Sequence, residues 1–455
     1  MRPVGFLAGA LAAVTLLQGG PSAIAAPIAG GVREVWVARY DGGDVDFAAD
    51  VEVDAAGNVY VTGSSYATFH DYLTIKYDRN GNELWRAHYY GPGHGFNQPV
   101  KLAVDGLGNV YVTGSSENAQ GVNDYATVKY GPSGNRLWAR RFDSGFGGSD
   151  LAYDLTLDPS GNVYVTGGSE GGATWIDYLT IKYHPAGTPQ WTARTSGNGS
   201  NNDYGRVVRI DPTGNVYVTG EIVMDFTDQY RDIGTVKYDP AGQQLWLKTY
   251  DTPLVRGALD TPHAMELDGQ GNAVVTGESA GSGPGCCPID WVTLEYSPAG
   301  ALLWESRFDG PSHTQDIPSD LAVDDADNVI VTGQATVTTH DIATIKYDSA
   351  GNEVWQNIID AEGFDEGGVA VDLDARGNAY VAANRLDEAT DFDWLTLRID
   401  ANGVKRWSIL YNGPGNFIDT PADIAVDGRG FVYVTGESWG ALPDYATIKY
   451  AQRRA

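Results

Sequence analysis

Hydrophobic and polar residues alternate in short runs along this chain, and turn-forming residues separate the runs. One unit contains LAVD (102–105), VYVTG (110–114), DYATVKY (124–130) and RLWARRF (136–142). These runs are rich in β-branched and aromatic residues, and Gly, Asn and Asp lie between them. No helical periodicity competes with this pattern. It predicts four β-strands in the unit, called a, b, c and d below.

The unit occurs eight times. Its GNVYVTG phrase recurs, with drift, at steps of 50 to 57 residues, beginning at Gly57, Gly108, Gly161, Gly214, Gly271, Asp327, Gly377 and Gly430. A period of this length is typical of stacked or radial repeats. Four-stranded antiparallel units arranged around an axis form a β-propeller, which hides its sheet edges by closing on itself. We therefore predict an all-β fold, an eight-bladed β-propeller of four-stranded antiparallel blades.

The two ends of the repeat array complement each other. An unpaired d strand, VREVWVARY, stands at residues 32–40, whereas the last copy stops just after its c strand at residues 444–450. We expect these segments to pair, so that an N-terminal strand completes the last blade and no edge stays open.

Residues 1–25 have the features of a signal peptide. Arg2 precedes an apolar run at residues 4–17, and Ala23-Ile24-Ala25 fits the small-x-small cleavage pattern. We expect a secreted or periplasmic protein whose residues 26–455 form a single propeller domain. No later stretch approaches the length of a membrane span, so no membrane insertion is expected.

The formal net charge is −29 at pH 7. Such a surface disfavours nucleic acid and anionic membranes, and it suits cations, cationic partners or simple solubility. We expect a monomer with no nucleic-acid partner.

Two acidic positions recur between copies. The first opens strand c, at Asp71, Asp124, Asp177, Asp232, Asp290, Asp341, Asp393 and Asp444. The second begins the approach to strand a, and its aspartates are Asp46, Asp150, Asp203, Asp260, Asp316 and Asp419. A group used in nearly every blade is expected to hold a turn. The alternative for the second set is a carboxylate ring near the mouth of the central channel, able to hold Ca²⁺ or another cation.

Eight tryptophans occupy one position in strand d. They are Trp36, Trp85, Trp138, Trp191, Trp246, Trp304, Trp355 and Trp407. A regular aromatic stripe indicates core, so we assign these side chains to packing between blades.

Length variation separates two kinds of connection. The a–b and c–d turns have constant length, whereas the b–c loop has 7 to 12 residues and the step from the strand-d Trp to the next hairpin Asp runs from 18 to 22. In an antiparallel meander the two variable loops emerge at the same end of every blade. One face is therefore expected to be scaffold and the other free to recognise a ligand.

Residues on that face that are particular to one copy are the candidates for ligand binding. They are His94, Trp175, Tyr230, His263, His313 and Trp439. None belongs to a catalytic motif, so no catalytic residue is predicted. Copy five also carries adjacent Cys286 and Cys287, which in an exported protein are expected to form a vicinal disulfide that pins the loop.

The strings DYLTIKYDRNGNELWRAHYYGPG and VDGLGNVYVTGSS resemble the repeats of bacterial exported β-propeller (SBBP-type) proteins. The resemblance covers residues 31–450 and implies a secreted propeller, but it brings no catalytic residues to transfer. Copies five and seven depart from the pattern, at Glu295 and at Ala382-Ala383 with Arg398-Ile399.

Two hypotheses follow. The first is a secreted, non-enzymatic scaffold that binds a ligand, glycan or protein through the face with the variable loops. The alternative is a quinoprotein-like oxidoreductase with pyrroloquinoline quinone as cofactor, because YDRNGNELW and YDSAGNEVW are similar to the tryptophan-docking repeats of eight-bladed quinone dehydrogenases. The chain is short for such an enzyme and has no haem CxxCH motif.

Overall fold

The computed structural model describes residues 31–452 except for gaps at 67–68, 94, 173–174, 198–200, 225–229, 253, 255–258, 282–288, 360–363 and 388. The described residues form β-strands and turns and include no helix. Over the same residues, nothing has the helical length and apolar character that a membrane crossing requires.

The strands group into eight sheets of four, numbered here as blades 1 to 8. Strand β1 (Val32–Tyr40) belongs to blade 8. Blade 1 consists of β2 (Asp46–Val53), β3 (Val59–Tyr66), β4 (His70–Tyr77) and β5 (Glu83–Tyr89), and blade 2 of β6 (Asn97–Val104), β7 (Val110–Glu117), β8 (Asn123–Tyr130) and β9 (Arg136–Phe142). Blade 3 consists of β10 (Asp150–Leu157), β11 (Val163–Glu170), β12 (Ile176–Tyr183) and β13 (Pro189–Thr195), and blade 4 of β14 (Tyr204–Ile210), β15 (Val216–Ile222), β16 (Asp232–Tyr238) and β17 (Gln244–Tyr250). Blade 5 consists of β18 (Asp260–Leu267), β19 (Ala273–Ala280), β20 (Ile289–Tyr296) and β21 (Leu302–Phe308), and blade 6 of β22 (Ile317–Val323), β23 (Val329–Thr336), β24 (His340–Tyr347) and β25 (Glu353–Ile359). Blade 7 consists of β26 (Glu366–Leu373), β27 (Ala379–Asp387), β28 (Asp391–Ile399) and β29 (Lys405–Tyr411). Blade 8 consists of β30 (Asp419–Val426), β31 (Val432–Trp439) and β32 (Pro443–Gln452) together with β1.

The blades form a closed ring. Within each blade the strands are antiparallel and follow the order a, b, c, d. The first strand of each blade contacts the first strand of the next, and β2 of blade 1 also contacts β30 of blade 8. The predicted eight-bladed propeller is confirmed, and blades 5 and 7 keep all four strands despite their departures from the repeat pattern.

The predicted closure of the last blade is also found. Strand β1 pairs antiparallel with β32, with Val32 opposite Gln452 and Tyr40 opposite Tyr445. Because β1 takes the outer position of blade 8, the edge of β32 is covered.

Strand a of each blade is longer than the sequence pattern indicates. In blade 2 the pattern predicts residues 102–105, whereas β6 runs from Asn97 to Val104. Its first half carries Pro99 and a bulge between Pro99 and Lys101. A bulge breaks the alternation of inward and outward side chains, so the period-2 signal is lost there.

The a–b turns of constant length are tight hairpin turns held by side-chain hydrogen bonds. In the 54–58 turn the Asp54 carboxylate accepts hydrogen bonds from the backbone and side chain of Asn58, at 2.8 and 2.6 Å. Gly57 has a φ of 86°, and Asp327, its counterpart in blade 6, has a φ of 60°. The Asp327 carboxylate accepts the Gly269 N–H of the neighbouring turn at 2.8 Å. This hydrogen bond stabilises the positive φ of Asp327, a conformation that aspartate adopts only occasionally.

The core lies between blades, and the strand-d tryptophans pack there as predicted. Trp36 of blade 8 packs between Tyr433 of its own blade and Tyr77 of blade 1, with ring centroids 6.2 Å apart in both pairs. Six of the eight indole N–H groups donate to a backbone carbonyl in the c–d turn of the next blade, at 2.9–3.2 Å. The repeat thus locks each blade onto its neighbour.

Candidate functional site

The variable loops emerge together on one face of the ring, called the variable face below. Every a–b and c–d turn has five residues, as in 54–58 and 78–82. The b–c connections have between three and nine residues and the d–a connections between five and nine. The variable face comprises the described residues of two sets of connections. The b–c connections are 67–69, 118–122, 171–175, 223–231, 281–288, 337–339, 388–390 and 440–442, and the d–a connections are 41–45, 90–96, 143–149, 196–203, 251–259, 309–316, 360–365 and 412–418.

Exposed aromatic side chains are confined to this face among the residues that the structure describes. They lie in the variable loops or next to them, and they are Phe47, Phe69, Tyr90, Phe96, Phe146, Trp175, Tyr230 and Phe417. The exposed large side chains near the constant turns are aliphatic, such as Leu107, Leu137 and Val354. Only Trp175 and Tyr230 were predicted from the sequence. The other six follow no pattern that recurs between copies, and Phe47 lies within strand β2.

Three of the aromatic rings on the variable face form a stack between blades 1 and 2. The rings of Tyr66 and His70 lie 4.7 Å apart, and those of His70 and Phe96 lie 4.1 Å apart. Asn97 fixes the stack by donating its side-chain N–H to the His70 carbonyl at 2.8 Å. Burial lowers the pKa of His70, so the ring is neutral at physiological pH. Phe96, 53 % exposed, presents its ring to solvent.

A second aromatic pair stands on neighbouring loops of blades 2 and 3. The Phe146 ring covers Gly172, where a Cβ atom would lie 2.8 Å from it. Trp175, three residues further along the same loop, has a φ of 66° and is 58 % exposed. Its carbonyl accepts the Gly171 N–H, which closes the loop and holds the indole outward.

The other sequence candidates stand on separate blades. Tyr230 is exposed in the b–c connection of blade 4. His263 lies in strand a of blade 5, and burial lowers its pKa. His313 has a φ of 54° and places Nδ1 2.7 Å from Asp309 Oδ2. Trp439 ends β31 and is only partly exposed. The structure therefore does not bring the five predicted residues that it describes into one pocket.

Three sequence predictions fall outside the described residues. They are His94, the Cys286–Cys287 disulfide and the signal peptide at residues 1–25.

The aspartates proposed as a cation ring lie at the junctions between blades. All six are buried, and each accepts a backbone N–H from the d–a loop before it, as Asp150 does from Ser144 at 2.7 Å. The others of the set do so from Gly42, Gly197, Thr252, Gly310 and Gly413. Burial raises the pKa of these carboxyls, to about 6 for Asp203 and Asp260. Their contacts are those of turn-holding groups.

These aspartates do not face one another across the channel. Each lies near the strand-c aspartate of the preceding blade instead, and among the described residues a third carboxylate joins the pair in four junctions. The four trios are Asp41–Asp46–Asp444, Asp124–Asp143–Asp150, Asp232–Asp251–Asp260 and Asp290–Asp309–Asp316. Both recurring positions could be predicted from the sequence, but their contact could not, because strand c of one blade meets strand a of the next only after the ring has formed.

A different set of charges lines the central channel. Its cavity, about 600 Å³ in volume, is bounded by strand-a residues of seven blades. The ionisable groups there stand two or four residues before the hairpin Asp, and they are Asp50, Glu52, Lys101, Arg209, Glu266, Asp320, Asp372 and Asp423. These positions are charged in only some copies, so no recurring pattern in the sequence predicts them.

The channel carboxylates bind the inner sheet edges together. Asp50 accepts the Leu102 N–H at 2.7 Å, and Asp320 accepts the Val371 N–H at 2.9 Å, in each case from strand a of the next blade. Strand a is the inner edge of its sheet, so these N–H groups have no strand partner. Asp50 also pairs with Lys101 at 2.5 Å. Burial nevertheless raises the pKa of Asp50 to about 7.

Comparisons with known proteins agree with this architecture. The profile of the family described as "Beta-propeller repeat" (SBBP) matches residues 97–119 and 406–443. These two segments are similar to the SBBP repeat. An uncharacterised WD repeat-containing protein of Acanthamoeba polyphaga mimivirus is 25 % identical over 452 residues, a match that covers 80 % of this chain and 31 % of the relative. The chain thus spans about a third of that relative's length.

Solved structures resemble the chain only distantly. The WD40 domain of SCAP from fission yeast matches with a TM-score of 0.50 at 11 % identity and covers 92 % of this chain and 97 % of that one. The periplasmic gluconolactonase of Pseudomonas aeruginosa matches with a TM-score of 0.43 at 12 % identity and covers 72 % of this chain and 92 % of that one. At 11 % identity, the match to the WD40 domain shows a shared fold alone.

Proposed function

We propose that this SBBP-type repeat protein is a secreted, non-enzymatic propeller that binds a glycan or protein partner through its variable face. The observation that carries the proposal is the confinement of the exposed aromatic side chains to that face. The constant turns and the interblade tryptophans form the scaffold that holds the face rigid.

The chemistry of exposed aromatic rings supports recognition. A ring offers a large flat surface at little cost in conformational entropy, and such residues dominate binding energy at interfaces. The stack of Tyr66, His70 and Phe96 is already ordered by ring contacts and by the Asn97 hydrogen bond, so little further ordering is needed on binding.

The charge of the molecule restricts the partner. A formal net charge of −29 opposes approach of polyanions and favours neutral or cationic surfaces. A neutral sugar ring can stack on Phe96 or Trp175 while its hydroxyls donate to nearby carboxylates. Such a partner fits both the exposed aromatic rings and the negative charge of the protein.

Binding measurements on matched variants test the proposal. Phe96→Ala and Trp175→Ala remove exposed rings from the variable face, whereas Leu107→Ala and Leu137→Ala remove exposed side chains near the constant turns. On glycan arrays and in pull-downs of secreted proteins, we expect at least one aromatic variant to weaken binding by about tenfold, equivalent to about 1.4 kcal/mol. The leucine variants should bind as the unmodified protein does.

Two results would contradict this function. One is loss of binding in the leucine variants with retention in the aromatic ones. The other is oxidation of alcohols or sugars in a dye-linked assay after addition of pyrroloquinoline quinone and Ca²⁺. Export is tested separately, by N-terminal sequencing of the secreted protein, which should begin after Ala25, and light scattering should report a monomer.

A further inference from the structure

The c–d turns provide a hydrogen-bond acceptor at the junctions between blades. In four junctions one backbone carbonyl of such a turn accepts hydrogen bonds from two side chains of the preceding blade, the strand-d tryptophan and a lysine of strand c. The carbonyls are those of Arg79, Pro185, Pro240 and Pro298, and their donors are Trp36 with Lys449, Trp138 with Lys129, Trp191 with Lys182, and Trp246 with Lys237, at 2.9–3.5 Å. One oxygen atom at this place therefore satisfies two donors.

The junction between blades 7 and 8 is built differently. Within the described chain no turn joins strands c and d of blade 8, because β32 and β1 lie at its two ends. The two donors on blade 7 are Arg398, which replaces the lysine, and its cross-strand partner Trp407. Trp407 Nε1 reaches Gln452 Oε1 at 3.5 Å, and Arg398 Nε is buried without a hydrogen-bond partner. A buried donor without an acceptor is costly, so this pair favours an acceptor from outside the chain.

A cavity of about 550 Å³ lies at this junction, on the face of the constant turns. The described residues that line it carry three guanidinium groups, those of Arg376, Arg398 and Arg406, and one carboxylate, that of Asp400. Asp400 is already paired with Arg406, whose Nε lies 2.6 Å from Asp400 Oδ2. The described lining is therefore positively charged in a protein whose formal net charge is −29.

The sequence next to the cavity provides no carboxylate side chain for these donors. Gly31 and Gln452 belong to the lining, and residues 26–30 and 453–455, which adjoin them in the sequence, contain no Asp or Glu.

From this geometry we propose that the cavity binds a small molecule through an oxyanion group, a carboxylate or a sulfate, held by Arg398 and Trp407. An oxygen of this group takes the place that the turn carbonyl has in other junctions. A guanidinium suits such a group better than a lysine ammonium does, because its planar fork can donate two parallel hydrogen bonds. The negative charge elsewhere on the protein is screened beyond about 8 Å at physiological ionic strength. This site is separate from the variable face and goes beyond the function proposed for that face.

Isothermal titration calorimetry of the full chain tests the site with succinate, its neutral diamide succinamide, and sulfate. Succinate and succinamide share one carbon skeleton, so a difference between them isolates the carboxylates. We expect succinate or sulfate to bind saturably with a Kd below about 1 mM, and succinamide to bind at least about tenfold more weakly than succinate. Tighter binding of succinate than of sulfate identifies an organic acid as the ligand, whereas the reverse order identifies a sulfate group.

Matched variants locate the binding. Arg398→Gln and Arg376→Gln each remove a guanidinium from the cavity and should weaken binding by at least about tenfold. Arg376 is exposed, so its variant should keep the fold even if Arg398→Gln does not. The control is Lys129→Gln, which removes a charge from the same strand-c position in blade 2, where the Pro185 carbonyl is present, and should leave binding unchanged.

Four results would overturn the proposal. They are absence of binding by both succinate and sulfate, equal binding of succinate and succinamide, full affinity in both arginine variants, and a loss in Lys129→Gln as large as that in Arg398→Gln.

Discussion

At the scale of single residues, the tryptophan of strand d is the contact that turns a row of sheets into a ring. The Trp138 indole donates to the Pro185 carbonyl of the next blade at 3.0 Å. Its ring also rests on Gly187, where a Cβ atom would lie 2.8 Å from the indole. Glycine is required there both by its φ of 82° and by the closeness of the ring. One residue type therefore supplies packing and a hydrogen bond between blades.

Truncation of Trp138 measures this contact. We expect Trp138→Ala to lower the free energy of unfolding by about 3–5 kcal/mol, because it leaves a cavity between two blades and removes a hydrogen bond between them. Denaturant titration followed by circular dichroism gives the value. Trp175→Ala is the matched control and should cost less than about 0.5 kcal/mol, since Trp175 is largely exposed and lies outside the repeat. Equal losses in the two variants would refute the assignment of Trp138 to the core.

At the scale of strands and turns, the closure of blade 8 depends on one element. Strand β1 is held to β32 by sheet pairing, and no turn of the chain connects the two. Trp36 on β1 also fills the core between blades 8 and 1. The ring is therefore joined at this point by non-covalent contacts alone.

Removal of β1 tests its role. A chain that begins at residue 41 should lose the Trp36 contacts and expose the β32 edge, so we expect it to melt more than about 10 °C lower and to aggregate. Size-exclusion chromatography with light scattering and a thermal melt report both effects. A chain that begins at residue 31 is the control, and addition of a peptide of residues 31–40 should restore part of the loss. Unchanged stability in the shorter chain would contradict the closure.

The strands and turns could be predicted from sequence where residues close together in the chain determine them. Period-2 alternation and Asp-x-x-Gly-Asn turns identify strands b, c and d, and the unpaired run at residues 32–40 identifies the closure. Strand a was only half visible, because the bulge near Pro99 interrupts its alternation. The carboxylate trios could not be predicted from the sequence. Asp251 lies in a loop of variable length, and its neighbours Asp232 and Asp260 belong to different blades.

At the scale of the whole molecule, two groups of carboxylates respond to pH in opposite directions. In the channel, burial raises the pKa of Asp50 and Glu52 to about 7 and of Asp320 and Asp372 to about 6. In the constant turns burial acts in the same direction, but hydrogen bonds outweigh it and lower the pKa of Asp54 and its counterparts.

These shifts imply that stability is greatest in mildly acid solution. The channel carboxyls bind protons more tightly in the folded than in the unfolded state, so the free energy of unfolding should rise as pH falls from 8 to 5. The turn carboxyls behave oppositely, and their contribution should be lost as pH falls below about 4. We expect the melting temperature to gain on the order of 5 °C between pH 8 and 5 and then to fall.

Glu52→Gln isolates the contribution of the channel. Burial and the carboxyls of Asp50 and Asp372 raise the pKa of Glu52, whereas Lys101 and Arg209 lower it. The variant cannot ionise at this position, so its melting temperature should change less between pH 8 and 5 than that of the unmodified protein. An equal or steeper rise would show that the channel is not the source of the effect.

The pairing of Val32 with Gln452 brings the two ends of the described chain side by side on the outer strands of one blade. A short linker between Gln452 and Gly31 would make the backbone continuous, and a cut in another c–d turn, such as residues 131–135, would create new termini there. Blades 1 to 7 offer the same five-residue turn at this place. The ring therefore has no preferred starting blade, and circular permutation through any c–d turn leaves its contacts intact.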